Sequence, residues 1–364
     1  MARPRTVYRG KRKYSWIITL AAFLVVLLIA AGVWLFYDLQ RYIVYDKDGL
    51  HLDFSDSRGQ LQVGSDSVSN DLLPGFQKVD VEIVVDERDY SEISTSAGTD
   101  LTEMHAVYVP ASLLNENTLH YYAASMGDFD ALVLEMKSTD GTLHWHSGVS
   151  TADSYAVNGT QELAGRLAEL KEKGVYLVAE LSALADSAMA IRNAPIALRN
   201  GATGGPLIDD DGMSYLDPYS NGTRSYLLDL LTELRSLGFD EVLLTGFSIP
   251  DSEYVRYSLT MTQLPHPSDA LSSLALWLRE QADTLGLKLS VCIDPEALHS
   301  EAVRRGQSPE LFVRVFDRVA VECSYASLSG DLALLEQALG HSDENRCIAV
   351  TEDFVPERKS YIVR

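Results

Sequence analysis

The chain has 364 residues, 46% apolar and 23% charged, which excludes wholesale disorder and leaves room for one large domain with an appendage. The net charge is −22, yet residues 1–13 carry six basic side chains (Arg3, Arg5, Arg9, Lys11, Arg12, Lys13) and no acid, leaving 24 basic against 52 acidic residues in the remainder. So acidic a body argues against nucleic acid or an anionic lipid surface as partner, because phosphate contacts need Lys and Arg.

Trp16 to Tyr37 is a run of 22 residues without a charged side chain. As a helix rising ~1.5 Å per residue it spans ~33 Å, enough for a bilayer core of ~30 Å. Trp16, Trp34 and Tyr37 stand near its ends, where interfacial aromatics collect. The run outlasts the roughly 7–15 apolar residues of a cleaved signal peptide, so an uncleaved transmembrane anchor is expected over 16–37. Positive charge before it and Asp38 after it predict that residues 1–15 are a cytoplasmic tail and that the acidic body is extracellular.

Residues 38–103 are expected to form a stalk with a small β region. Asp, Ser and Gly dominate 46–75, with alternation at Leu50, Leu52 and Phe54 that suggests a strand pair. Val79, Val81 and Ile83 suggest one half-buried strand, and 86–102 is polar and predicted to be a loop.

From about 104 short apolar runs alternate with helical patterns. The runs are Ala106–Val109, Ala131–Met136, Val175–Leu181, Val242–Leu244, Leu287–Ile293, Val319–Val321, Ile348–Val350 and Tyr361–Val363. Between them Leu163, Leu167 and Leu170 share a helix face, as do Leu227, Leu228, Leu231 and Leu234 before Leu237-Gly238. A third face runs Leu271, Leu274, Leu278, Ala282 and Leu285, stopped by Gly286. Continuous apolar strands alternating with helices predict an α/β fold, a (β/α)8 TIM barrel over 104–364. A doubly wound open sheet is the alternative, but no G-x-G-x-x-G follows the first strand. The connection from Ser182 to Ser220 is long and aromatic, which predicts an ordered functional loop.

In such a barrel the chemistry sits at the carboxyl ends of the strands. Those ends carry Glu135 and Lys137, Glu180, Asp294, Glu322 and Glu352. Glycoside hydrolysis needs two carboxyl groups in different environments, one protonated as acid and one ionised as nucleophile or base. Crowded carboxylates acquire such a split. Glu135, Glu180, Asp294 and Glu322 are therefore the candidate catalytic acids. Helix capping is the structural alternative, and Asp294 before Pro295 has the pattern of an N-cap. From the second strand to the seventh, only the fourth ends without an acid, at Thr245. Sugar sites also use aromatic platforms. Tyr108, Trp145, Tyr215, Tyr219, Phe247 and Tyr254 lie near candidate loops, and Trp145, between His144 and His146 in a polar stretch, is expected to be the exposed one.

No G-x-S-x-G elbow, P-loop lysine or H-E-x-x-H is present, and His144-Trp145-His146 lacks a third ligand nearby, so no metal or other cofactor is expected. Cys292, Cys323 and Cys347 do not make a disulfide framework and are predicted to be buried, unpaired thiols.

The segments AVYVPASLL (106–114), ALVLEMKSTDGTL (131–143), GVYLVAEL (174–181), YLDPYSNGTRSYLLDLLTEL (215–234) and GFDEVLLTGFSIP (238–250) resemble the bacterial family of putative glycosyl hydrolases. The resemblance implies a barrel distantly like the α-amylase type, acting on or binding cell-envelope or environmental carbohydrate. It implies an acid at Glu135, a substrate-binding lysine at Lys137, and an Asp-Pro-Tyr element at Asp217 and Tyr219. The family pattern places Asp and Arg on the fourth strand, where this chain has Thr245 and Ser248. Thr cannot form the glycosyl ester a carboxylate nucleophile forms. The chain is thus expected to be either a hydrolase with its carboxylates on other strands or an inactive glycan-binding or envelope-scaffold barrel.

Overall fold

The computed structural model describes a hairpin at 43–46 and 49–52, and residues 93–155, 158–159, 161–257, 266–299, 305–352 and 354–364. The expected anchor and the expected strand at 79–83 lie outside these residues, apart from Leu24 within the anchor. No helix among the described residues is long and apolar enough to cross a membrane. Contacts divide the chain into a unit before residue 85 and a second unit, Val85–Arg364. In the first, Ile43–Asp46 pairs antiparallel with Gly49–Leu52, so a strand pair does form around Leu50 and Leu52.

The second unit is the predicted barrel. Eight parallel strands close on themselves: β1 (Met104–Val109), β2 (Ala131–Lys137), β3 (Tyr176–Ser182), β4 (Glu241–Thr245), β5 (Lys288–Ile293), β6 (Val319–Glu322), β7 (Cys347–Thr351) and β8 (Ser360–Val363). β8 pairs with β1 through Ile362 and Ala106, which seals the ring. Each strand coincides with one of the eight apolar runs. Among the described residues the outside is covered by α1 (Glu116–Ala124), α2 (Ala164–Glu172), α3 (Asn221–Ser236), α4 (Pro267–Leu285), α5 (Pro309–Val315) and α6 (Leu328–Leu339), with shorter helices at Ser150–Tyr155 and Ser187–Arg192 in the connections. The connection from β7 to β8 has no helix among its described residues.

Strand alternation sorts the side chains into two cores. Val133, Val178, Leu243, Cys292, Ala320, Ile348 and Ile362 fill the barrel interior. Their neighbours one step away, such as Leu132, Leu177, Val242 and Val291, face the helices. α3 buries Thr223, Tyr226, Leu227, Leu230, Leu231 and Leu234, an i, i+3/i+4 stripe, while Leu228 is only half-buried. α4 begins at Pro267 behind the His266 cap and stops at Gly286, whose φ of 63° suits glycine. The three cysteines are buried and unpaired.

Residues 93–102, polar in sequence, pack at the amino-terminal end of the barrel. The Gly98 N–H donates to Asp317 Oδ1 at 3.0 Å, and Lys288 Nζ reaches Thr99 O at 2.7 Å.

The turn after β4 depends on glycine. Gly246 has φ of 56°, and a Cβ there would lie 2.8 Å from Ser182 Oγ and 3.0 Å from Ala185 Cβ. Gly246→Ala is expected to destabilise the barrel by about 1–3 kcal/mol, read as a lower midpoint in thermal or urea unfolding.

Candidate active site

Three of the predicted acids reach one network at the barrel mouth. Glu135 and Glu180 sit side by side in register on β2 and β3. Glu135 accepts from the Ala111 N–H at 2.8 Å and from Ser138 Oγ at 2.7 Å, and Ser138 Oγ lies 2.6 Å from His144 Nε2. Burial pushes the Glu135 carboxyl up, but the hydrogen bonds from Ala111, Ser138 and Tyr108 outweigh it and hold the group below its ordinary value. Glu135 is thereby held toward its ionised form.

Glu180 is the opposite case. It is 7% exposed, and its burial pushes the carboxyl above the ordinary range against the pull of Arg364. Arg364 Nη2 donates to Glu180 Oε2 at 2.8 Å, and Tyr108 Oη lies 3.4 Å from Oε1. The same guanidinium donates through Nη1 to Glu322 Oε1 at 2.5 Å. One arginine on the β8 side therefore grips carboxylates from both β3 and β6. Its Cζ lies 4.7 Å from the Tyr108 ring centroid, a cation–π contact. Burial opposes the Arg364 charge, and Glu180 and Glu322 more than offset it, raising its pKa.

Asp294 follows β5, beside Glu322, because Ile293 pairs with Val321 in the ladder. Its carboxylate makes no capping hydrogen bond to the helical turn Pro295–Leu298, so the capping pattern is not what holds it. Arg305 Nη1 lies 3.3 Å from Oδ2, close enough for an ion pair, yet Oδ2 is buried and has no hydrogen bond among the described residues. Charge attraction without hydrogen-bond alignment reconciles the two observations. Burial pushes Asp294 up against the Arg305 charge, and Glu296 and Glu322 push the same way.

A cleft of about 570 Å³ opens beside this network, lined by Pro295, Glu322, Cys323, Ser324, Tyr325, Val350, Thr351, Glu352 and Arg364. Glu322, 53% exposed at its side chain, is the member of the network that faces it most openly.

The other predicted residues are placed elsewhere. Lys137 is not available to a ligand. Beyond a register shift in β2 it is sealed with Asp186, Nζ to Oδ2 at 2.9 Å, and donates to Ser182 O at 2.5 Å. The polar neighbours of Trp145 mislead as well. The indole is 1% exposed and donates through Nε1 to Glu233 Oε2 on α3 at 3.1 Å, so it is a packing residue rather than an exposed platform. Phe247 is likewise core, edge-on to Phe312 and Phe316. Asp217 is fully buried in the 183–220 connection, where it accepts from the Tyr219 N–H at 2.9 Å. Half-buried Tyr219 meets Tyr257 edge-on. That connection is ordered, bridging Ala185 to Tyr215 and Ala197 to Leu216. Thr245 ends β4 half-buried, its carbonyl accepting from the Ala183 N–H.

Among the described residues no group of three or more His, Cys, Asp or Glu is arranged to hold a metal ion. Arg364 and Tyr325 were not singled out by sequence. Arg364 lies one residue beyond the last apolar run, in phase with the inward Ile362, and that phase was the available signal.

The glycoside hydrolase domain of PgaB (BpsB) from Bordetella bronchiseptica superposes with a TM-score of 0.50 at 13% identity, covering 68% of this chain and 84% of that one. The glycoside hydrolase domain of PelA from Pseudomonas aeruginosa gives 0.40 at 20% identity, covering 69% and 85%. Aspergillus fumigatus Ega3, solved in complex with galactosamine, gives 0.43 at 12% identity, covering 71% and 80%. At 13% identity the likeness to the PgaB (BpsB) domain is one of fold. No curated protein matches the chain. A family model described as "Putative glycosyl hydrolase domain" matches residues 106–320, more than half of the chain, and the protein belongs to that family.

Proposed function

We propose that the protein is a membrane-anchored, extracytoplasmic glycoside hydrolase acting on cell-envelope or environmental carbohydrate. Asp294 serves as the acid and Glu322 as the nucleophile or base. The observation that carries this is their placement: two carboxyl groups on adjacent strands, one pushed toward its protonated form by burial, the other gripped by Arg364 and open to the cleft. Glu180 and Glu135 form the supporting wall, with Arg364 orienting Glu180 and Glu322 together.

The anchor is the apolar run at 16–37, with residues 1–15 in the cytoplasm and the barrel outside. Family membership supports the carbohydrate class, and the six basic residues before the apolar run, with Asp38 after it, support the orientation. The alternative is an inactive barrel that binds glycan or scaffolds the envelope, and Thr245 at the end of β4 is the observation that favours it.

Incubating the purified full chain with a panel of bacterial and plant polysaccharides separates the two. New reducing ends are the expected result, and binding without turnover would establish the inactive form. Resistance to alkaline carbonate extraction, with the barrel accessible to protease on intact cells, is expected for the anchor.

A further inference from the structure

Tyr325 stands in the short connection from β6 to α6. The connection is pinned, because Ser327 N–H donates to Ser324 O at 3.1 Å and Leu328 N–H to the same oxygen at 3.0 Å. The tyrosine is 71% exposed and lines the cleft together with Glu322, Thr351, Glu352 and Arg364. A large aromatic left in water beside a polar cleft is matched to a ligand with one apolar face and a polar rim, as a pyranose has. The charges narrow the choice. Glu322 and Glu352 both line the cleft, and Arg364, its one cation among the described lining residues, already donates to Glu180 and Glu322. A sugar carboxylate would face like charge there with no uncommitted cation among the described lining residues.

We propose that this cleft is a sugar-binding subsite in which Tyr325 stacks on a pyranose bearing hydroxyl or amino substituents and no carboxylate. Glu352 receives the hydroxyl or ammonium donors at the ring edge. The proposal rests on the carbohydrate reading above and adds the platform and the class of sugar.

Saturation-transfer NMR on the purified full chain tests it. The probes are the methyl glycosides of glucose, galactose, mannose, glucosamine and N-acetylglucosamine, set against glucuronic and galacturonic acid. At least one of the first group is expected to bind and the uronic acids to bind at least about tenfold more weakly. Tyr325→Ala should weaken binding about tenfold, the size of an aromatic stacking contribution, while Tyr325→Phe retains it. Glu352→Gln should narrow the gap to the uronic acids. Binding unchanged in Tyr325→Ala, or uronic acids bound best, overturns this subsite while leaving carbohydrate turnover, measured on the same sample, free to stand. Neither binding nor turnover by the unaltered protein overturns both.

Discussion

Changing Asp294 to Asn, or Glu322 to Gln, is expected to lower glycan hydrolysis by the full chain at least about 10²-fold, the lower end for removal of a positioned acid or base. An amide cannot supply the proton that the leaving oxygen needs, nor form a glycosyl ester or activate water. The pH dependence has a definite sign. Asp294 is pushed above its ordinary value, so it acts as an acid while protonated, and the rate should fall as pH rises through its elevated pKa. Stability changes the same way. A carboxyl whose folded pKa is raised adds stability below its unfolded value, about 3.9 for Asp, and that contribution is lost as pH rises through the folded pKa. At neutral pH Asp294→Asn should therefore melt no lower than the parent, so a lost rate reads chemistry rather than unfolding. Initial rates alongside circular-dichroism melts check both points. Unchanged rates in both variants would remove the pair from the site.

The barrel was legible because its strands are buried on both faces. That burial leaves continuous apolar runs, and all eight stand in the sequence where the ladder has them. The acids at the strand ends were legible for the same reason: period two along each strand puts the residue after the inward apolar ones at the mouth. What the pattern could not show is partner choice. Lys137 and Glu135 look alike as strand-end charges, but a register shift between them turns Lys137 toward Asp186 and out of the mouth. Trp145 sits in a polar stretch whose polarity serves the protein itself. Ser147 Oγ and the Trp145 indole both bond Glu233, 86 and 88 residues further along the chain. Arg364 was hidden because its partners, Glu180 and Glu322, are 184 and 42 residues away and nothing local marks the pairing. Thr245 stands in the sequence as a gap in the acidic series. The structure adds that the acids on β5 and β6 stand next to each other beside that gap.

Arg318→Met is expected to cost about 3–5 kcal/mol of unfolding free energy. Arg318 is fully buried ahead of β6, at the amino-terminal end of the barrel, and its Nε lies 3.2 Å from Glu241 Oε2. Its other nitrogens donate to Asn345 O at 2.5 Å and Thr102 O at 2.9 Å. Glu241, 1% exposed, also accepts from Tyr176 Oη at 2.9 Å and Ser290 Oγ at 2.5 Å, so four chain segments converge on one ion pair. Burial opposes the Arg318 charge, and Glu241 more than offsets it, raising its pKa. Removing the arginine leaves the carboxylate with two hydroxyl donors and no countercharge in a low-dielectric interior. Removing Glu241 alone, as Glu241→Met, should be comparably damaging from the other side. Arg318→Met combined with Glu241→Met should recover much of the loss, since an apolar pair of similar volume carries no desolvation penalty. A urea-denaturation cycle over the parent, both single variants and the double variant measures this as a favourable coupling energy. Additive losses would show instead that the two side chains act through separate partners. Because the amino-terminal end of a barrel serves stability and the opposite end carries the site, the folded fraction of the double variant should keep the parent's turnover and sugar binding.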